Sequence, residues 1–140
     1  MIFRKTDKFL NKDKEASIDN WEAGKFKTAI IISCYNEEKR ILKSNIDYLI
    51  VNTNATLFFA NDGSTDTTVL AIENIINGSN GRCCVINFKN NEGKVNTTYK
   101  AINQINNENE FNFIGYFHTD FSTPQKEIKR LLEKVQEYYY

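Results

Sequence analysis

The sequence predicts an α/β fold in which a doubly wound, mostly parallel sheet carries helices on its faces. Apolar runs rich in β-branched or aromatic residues alternate four times with stretches of helical periodicity. Because these runs are short and continuously apolar, they are typical of strands buried on both faces. Regular alternation of strand and helix favours right-handed crossovers, and therefore a parallel sheet.

The four predicted strands are each followed by a polar segment. They cover residues 28–33, 56–60, 83–88 and 113–117. Residues 1–25 are polar and lack a sustained period, so we expect them to form an N-terminal extension. Residues 26–140 are then a single domain, and the 140-residue chain is long enough to bury its own core.

Apolar residues three or four positions apart predict a helix after each strand. The first helix should hold Glu37 and Glu38 in its first turn, where carboxylates favour the positive end of the helix. Ser64-Thr65-Asp66 supplies the cap of the second helix. The stripes expected to be buried in the first, third and fourth helices are Ile41, Leu42, Ile46 and Leu49; Val95, Tyr99, Ile102 and Ile105; and Ile128, Leu131, Leu132 and Val135.

Charge and composition exclude several classes of protein. The 18 Lys and Arg residues balance 18 Asp and Glu, whereas nucleic-acid binding normally leaves a basic excess. No apolar run approaches the roughly 20 residues that span a bilayer, and the N-terminus does not resemble a signal peptide. Three cysteines without metal-type spacing indicate reduced thiols. We therefore expect a cytoplasmic or membrane-peripheral protein without a nucleic-acid partner.

Polar segments follow every predicted strand, at the edge of the sheet where ligands bind in folds of this kind. These segments are residues 34–38, 61–66, 90–94 and 118–122. Since loops of this kind carry binding residues more often than the scaffold does, the candidate functional residues are sought there.

In order and spacing, four segments resemble the motifs of family 2 glycosyltransferases, which have a GT-A fold related to the Rossmann arrangement. They are a Tyr-Asn-Glu turn at 35–37, Asp-Gly-Ser-Thr-Asp at 62–66, Asn-x-Gly-Lys at 91–94, and His118-Thr119-Asp120 in place of Asp-x-Asp. The resemblance covers Lys27 to Pro124. Residues 115–124 look like the branch that transfers sugars to polyprenyl phosphates. Ser33 replaces a usual proline, and His118 replaces the first aspartate.

The resemblance implies a divalent metal, Mg²⁺ or Mn²⁺, bound at the last motif. Asp120 is the expected metal ligand, with a turn or helix-cap role as the alternative. His118 is expected to bind the metal, to contact phosphate or sugar, or to be a tolerated replacement. Because neutral imidazole suits transition metals, a ligand role for His118 would favour Mn²⁺.

The resemblance also implies a donor site built from the loops. Asp62 would accept a hydrogen bond from the base or ribose, or else cap its own turn. Tyr35 would lie against the base, or else pack under the first helix. Glu37 would reach the ribose or only favour the helix start. Gly93 would allow close backbone approach, and Lys94 would meet a phosphate or remain solvated.

The implied reaction is inverting transfer from a UDP- or GDP-linked sugar to an acceptor such as a polyprenyl phosphate. The chain ends about 20 residues after Asp120, where the acceptor half of the family would follow, so no catalytic base is assigned. We expect either a fragment or a naturally short homologue, with weak or no transfer alone.

Two alternatives remain at this stage. The first is a non-catalytic nucleotide-sugar-binding or regulatory domain, and the second, ranked low, is a nucleotidyltransferase. The latter and a dinucleotide oxidoreductase need a glycine-rich loop after the first strand, where this chain has Tyr35-Asn36-Glu37.

Overall fold

The computed structural model describes residues 2–7, 26–41, 43–118 and 124–139. Its strands are β1 (Ile2–Lys5), β2 (Thr28–Cys34), β3 (Thr56–Asp62), β4 (Cys83–Phe88) and β5 (Phe113–His118). Its helices are α1 (Lys43–Asn52), α2 (Thr68–Asn77), α3 (Lys94–Asn107) and α4 (Gln125–Tyr139).

The strands form one sheet in the order β1-β5-β2-β3-β4. The central pairs β5–β2, β2–β3 and β3–β4 are parallel, and β1 pairs with β5 in the antiparallel direction. The predicted doubly wound, mostly parallel α/β sheet is therefore confirmed. The strand order reverses between β2 and β5, which is where such sheets open a crevice for ligands.

The sheet is covered on both faces, as the apolar runs predicted. One face packs against α1, α2 and α4 through Ile30, Ile32, Leu57, Phe59, Ile46, Leu49, Ile72, Ile75, Ile128 and Leu132. The other packs against α3 through Ala29, Ile31, Phe58, Ala60, Ile86, Ala101, Ile105 and Ile114. Every residue of β2 is buried, because its alternate side chains enter the two cores. Each large buried side chain contributes about 1.5–3 kcal/mol, so this packing holds the strand ends firmly.

The prediction that Glu37 and Glu38 begin the first helix was wrong. The described helix begins at Lys43, and both glutamates lie before it in a separate turn that closes with a hydrogen bond from Ile41 N to Glu37 O (3.0 Å). The reason is that the turn is fastened to the loop after β3, where Glu37 N donates to Thr68 Oγ1 (2.9 Å). The hydrogen bond to Thr68 thus outweighs the preference of these glutamates for the first turn of a helix.

The apolar stripe predicted for α3 was wrong in its first half. Val95 and Tyr99 are 80% and 59% exposed. The buried face is instead made of Thr97, Thr98, Ala101 and Ile105. Thr97 Oγ1 donates to the buried Asp62 carboxylate (2.6 Å), which turns this side of the helix towards the sheet.

Residues 2–5, inside the predicted extension, form β1 and belong to the sheet. Beyond β1, Thr6 N donates to Asn112 O (3.0 Å), and Thr6 Oγ1 donates to Phe111 O and Asn112 O. Asp7 and Asn106 exchange two hydrogen bonds, of 3.1 and 3.0 Å. These contacts fasten the N-terminus to the end of α3. Within the described residues, no helix is both long and apolar enough to cross a bilayer.

Candidate functional site

The four parallel strands end at one edge of the sheet, and the predicted site residues that the structure describes lie along that edge. Tyr35 follows β2, Asp62 ends β3, and Gly93 precedes α3. His118 ends β5 directly beside Ser33, its partner in the register of β2 and β5. The edge therefore brings together the loops after β2, β3 and β4 that the sequence singled out, and it includes the point where the strand order reverses.

The loop after β2 is bound to the loop after β3. Asn36 N donates to Ser64 Oγ (3.1 Å), and Asn36 Oδ1 accepts from Thr65 N (2.9 Å). Asn36 adopts a positive φ of 50°, a conformation that asparagine tolerates better than most residues. This geometry leaves Tyr35 at the surface, 43% exposed. Its ring is thus accessible at the edge, as contact with a base requires.

Two glutamates extend this connection towards α2. Glu38 Oε2 accepts from Thr67 N (3.2 Å), and Glu37 N donates to Thr68 Oγ1 as described above. Asp66 Oδ1 accepts from Thr68 N (2.9 Å), but the N-cap of α2 is Thr67, whose side chain makes no capping hydrogen bond, so the predicted cap at residues 64–66 was one position early. The loops after β2 and β3 form one hydrogen-bonded unit at the start of α2.

The Glu37 carboxylate is largely buried at the end of β2, with 17% of its side chain exposed. Its Oε2 lies 3.5 Å from Arg40 Nε and is buried without a hydrogen bond. Burial, and after it the nearby Glu37 charge, raises the pKa of the Cys34 thiol above its usual range. Cys34 is therefore a neutral core residue, and the buried Glu37 Oε2 has an ion pair with Arg40 but no hydrogen bond.

Asp62 holds the loop that precedes α3. Its Oδ1 accepts from Glu92 N (2.9 Å) and Thr97 Oγ1 (2.6 Å), and its Oδ2 accepts from Gly93 N (3.0 Å). The residue is only 3% exposed. Asp62 was predicted to contact the nucleotide, but here its carboxylate is engaged by the protein's own donors.

Gly63 brings the loops after β3 and β4 into backbone contact. A Cβ at this position would lie 2.6 Å from Asn91 N and 2.7 Å from the carbonyl carbon of Asn90. Its φ of +65° also belongs to the left-handed region that favours glycine. Gly93 has a φ of +90° with open space around it, and the exposed Lys94 begins α3 beside it.

Comparison with known proteins decides the family. A sequence model of glycosyl transferase family 2 matches residues 29–140. The chain belongs to glycosyl transferase family 2. It is also 29% identical over 107 residues to an uncharacterized protein of Methanocaldococcus jannaschii, MJ0544. That alignment covers 76% of this chain and 46% of the relative, so the chain spans about half the length of the curated relative that it matches.

Membership of this family carries a general implication about chemistry. The family implies a nucleotide-sugar donor and an acceptor for the glycosyl group. The region matched begins within β2, so β1 lies outside it although it pairs with β5. Three of the segments that resemble family motifs, at residues 35–37, 62–66 and 91–94, meet at the carboxyl edge.

The predicted metal ligands are His118 and Asp120, at the end of β5 and beyond it. Asp120 lies outside the described residues, and of His118 only the backbone at the end of β5 is described. Within the part of the chain that the structure describes, no group of three or more His, Cys, Asp or Glu residues comes together as a metal site. His118 and Asp120 therefore remain predicted ligands.

Sequence reasoning missed the residues that connect the loops. They are the hydroxyl and amide side chains of Asn36, Ser64, Thr65, Thr67, Thr68 and Thr97. The available signal was the density of short polar residues after two neighbouring strands, which favours side-chain to backbone hydrogen bonds. Their partners lie 28 to 35 residues away along the chain, and no local pattern specifies such pairs.

Proposed function

We propose that this domain binds the nucleoside diphosphate part of a sugar donor, with a divalent metal, for inverting glycosyl transfer. The observation that carries the proposal is the interlocked set of loops after β2, β3 and β4, at the carboxyl edge of a family 2 domain. Such a set offers a preformed surface beside the β2–β5 crevice. Preformed loops bind a ligand without an ordering cost.

Three residues of this surface suit a nucleotide. The exposed Tyr35 ring offers a flat apolar face for a base. Glu37, whose side chain is 17% exposed and whose Oε2 pairs with Arg40 without a hydrogen bond, is a candidate acceptor for a ribose hydroxyl. Lys94, exposed at the start of α3, is a point charge for a phosphate, and the neighbouring Gly93 leaves its backbone accessible.

In the proposed reaction the acceptor attacks the anomeric carbon while the bond to the diphosphate breaks. Mg²⁺ or Mn²⁺ held by Asp120 and His118 would neutralise the charge that develops on the leaving diphosphate. The transfer inverts the anomeric configuration because attack and departure occur on opposite faces. A phosphate acceptor is already a nucleophile and needs no base, which agrees with the likeness of residues 115–124 to polyprenyl-phosphate enzymes.

A non-catalytic nucleotide-sugar-binding domain is the second candidate. It is favoured by His118, which replaces the first aspartate of the metal motif. The two candidates share the donor site and differ in the outcome of an activity assay. Metal-dependent binding of UDP or GDP without transfer to a polyprenyl phosphate would support the second.

A thermal-shift panel tests the proposed function. UDP, GDP and their sugar conjugates are added with and without Mn²⁺ or Mg²⁺, because a ligand that binds only the native state raises Tm. We expect UDP or GDP to raise Tm in the presence of metal, and Asp120→Asn to abolish the metal-dependent part. Asp47→Asn is the matched control, because Asp47 pairs with Lys43 on exposed α1 (2.8 Å). If none of the nucleotides raises Tm, the proposed donor site is refuted.

A further inference from the structure

We propose that Thr68 is a positioning residue that holds the turn carrying Tyr35 and Glu37 in place for the nucleoside part of the donor. This inference rests on the proposed donor site. Thr68 is the first residue of α2 and is fully buried. Its Oγ1 accepts from Glu37 N (2.9 Å), so the backbone of the turn after β2 is fixed to the start of α2.

The Thr68 hydroxyl is oriented by Asp66. Thr68 Oγ1 donates its single proton to Asp66 Oδ1, which also accepts from Thr68 N (2.9 Å). Because an ionised carboxylate only accepts hydrogen bonds, the hydroxyl proton points to Asp66 and a lone pair of the hydroxyl faces Glu37 N. Asp66, Thr68 and Glu37 therefore form a directed series of hydrogen bonds from the loop after β3 to the loop after β2.

The bond between Thr68 and Glu37 differs from other bonds between these two loops in its burial. The hydrogen bonds that Asn36 makes with Ser64 and Thr65 are exposed. Water competes for such exposed groups, whereas a hydrogen bond inside the protein is electrostatically stronger. Since α2 packs against the sheet in the core described above, Thr68 connects the turn after β2 to a rigid element.

Thr68→Val tests this role because it replaces the hydroxyl with a methyl group. The Glu37 amide then loses its acceptor, and the Tyr35 ring two residues before it is held less firmly. We expect the affinity for UDP or GDP to fall about fivefold, as the loss of one hydrogen bond implies. Binding of inorganic pyrophosphate with Mn²⁺ should not change, because Gly93 and Lys94 belong to a different loop.

Two further variants separate positioning from packing. Thr68→Ser keeps the hydroxyl and loses only the methyl group, so it should restore the affinity for UDP or GDP that Thr68→Val loses. Asp66→Ala removes the carboxylate that orients the hydroxyl, and it should weaken binding in the same pattern as Thr68→Val, to a smaller extent. Asp66→Ala also keeps the proposal testable if Thr68→Val does not fold.

Thr53→Val is the matched control, because Thr53 makes the same kind of contacts at the amino edge of the sheet. Its hydroxyl donates to Leu49 O (2.6 Å) and accepts from Ala55 N (3.4 Å). Thr53→Val should therefore lower the stability of the fold and leave the affinity for UDP or GDP unchanged.

The measurements are calorimetric titration with UDP, GDP and pyrophosphate in the presence of Mn²⁺, and hydrogen exchange at the Glu37 amide. We expect faster exchange at this amide in Thr68→Val, but not in Thr68→Ser or Thr53→Val. Unchanged UDP and GDP affinity in Thr68→Val, an equal loss for pyrophosphate, or no rescue by serine would overturn the positioning role and leave the donor site intact. If the unsubstituted chain binds neither UDP nor GDP, the proposed function and this inference both fail.

Discussion

Two charged residues at opposite edges of the sheet, Asp62 and Arg82, hold the chain by the same kind of contact. Asp62 ends β3 and accepts hydrogen bonds at the start of α3. Arg82 precedes β4 and donates to the carbonyls of Ile50 (3.1 Å), Thr53 (2.8 Å) and Ala55 (2.6 and 2.9 Å), around the end of α1. The Asp62 carboxylate thus lies at the N-terminus of α3, and the Arg82 guanidinium lies at the C-terminus of α1. Both placements are favoured by the helix dipole.

The two residues differ in what lies beside them. Arg82 is at the amino edge of the sheet, where its carbonyl partners belong to α1 and the connection to β3. Asp62 is at the carboxyl edge, next to the loops proposed to bind the donor. Similar contacts therefore stabilise the fold at one edge and hold the loops of the proposed donor site at the other. Substitutions at the two residues should separate stability from nucleotide affinity.

The largest effect on stability is expected for Arg82→Met. Removing the guanidinium leaves three backbone carbonyls without their donor, and each unsatisfied group costs about 1–3 kcal/mol. We expect the free energy of unfolding in urea to fall by about 3 kcal/mol. Arg130→Met is the control, because Arg130 pairs with Glu127 on the surface of α4 and such pairs contribute about 0–1 kcal/mol. If folded Arg82→Met bound nucleotide more weakly, the claim that Arg82 affects stability and not nucleotide affinity would be wrong.

A glycine series tests the contact between the loops after β3 and β4. Gly63→Ala meets both a positive φ and backbone atoms within 3 Å, and should lower the unfolding free energy by about 2 kcal/mol or more. Gly81 has a φ of +82° but open space, so Gly81→Ala should cost about 1 kcal/mol. Gly78 has a φ of −96°, and Gly78→Ala should be close to neutral. Equal losses of unfolding free energy in Gly63→Ala and Gly81→Ala would show that the close approach of Gly63 to the Asn90–Asn91 backbone does not affect stability.

The last prediction concerns the pH dependence of stability. It involves Cys83, which lies beside Arg82 at the amino edge. Burial raises the pKa of the Cys83 thiol to about 11, so the folded state favours the neutral thiol. The resulting stability is fully present below the ordinary thiol pKa and is lost as pH rises towards 11. Urea unfolding between pH 8 and about 11 should therefore show a steeper decline for the unsubstituted chain than for Cys83→Ala. Parallel pH profiles for the two proteins would contradict this.

The four parallel strands and the edge that carries their loops could be predicted from the sequence, because burial on both faces leaves a continuous local signal. The antiparallel β1 was missed, because residues 1–25 show no sustained period. Prediction from the sequence failed where a distant partner decides the conformation. The α3 stripe was misplaced because hydrophobic periodicity ignores the bond that draws Thr97 towards Asp62. Glu37 and Glu38 were placed in a helix because their tethers, Thr67 and Thr68, lie about 30 residues along the chain. Arg82 was not singled out, because a lone arginine in a turn does not reveal the carbonyls that it will meet.

Hydrogen exchange with and without UDP or GDP and Mn²⁺ tests the central claim most directly, because it compares the two edges in one experiment. Binding should slow exchange in the loops after β2, β3 and β4, at residues 35–38, 63–67 and 89–93. Exchange at residues 53–55 and 79–82, around Arg82, should not change. Protection at the amino edge alone, or no protection at either edge with any of these ligands, would contradict the account.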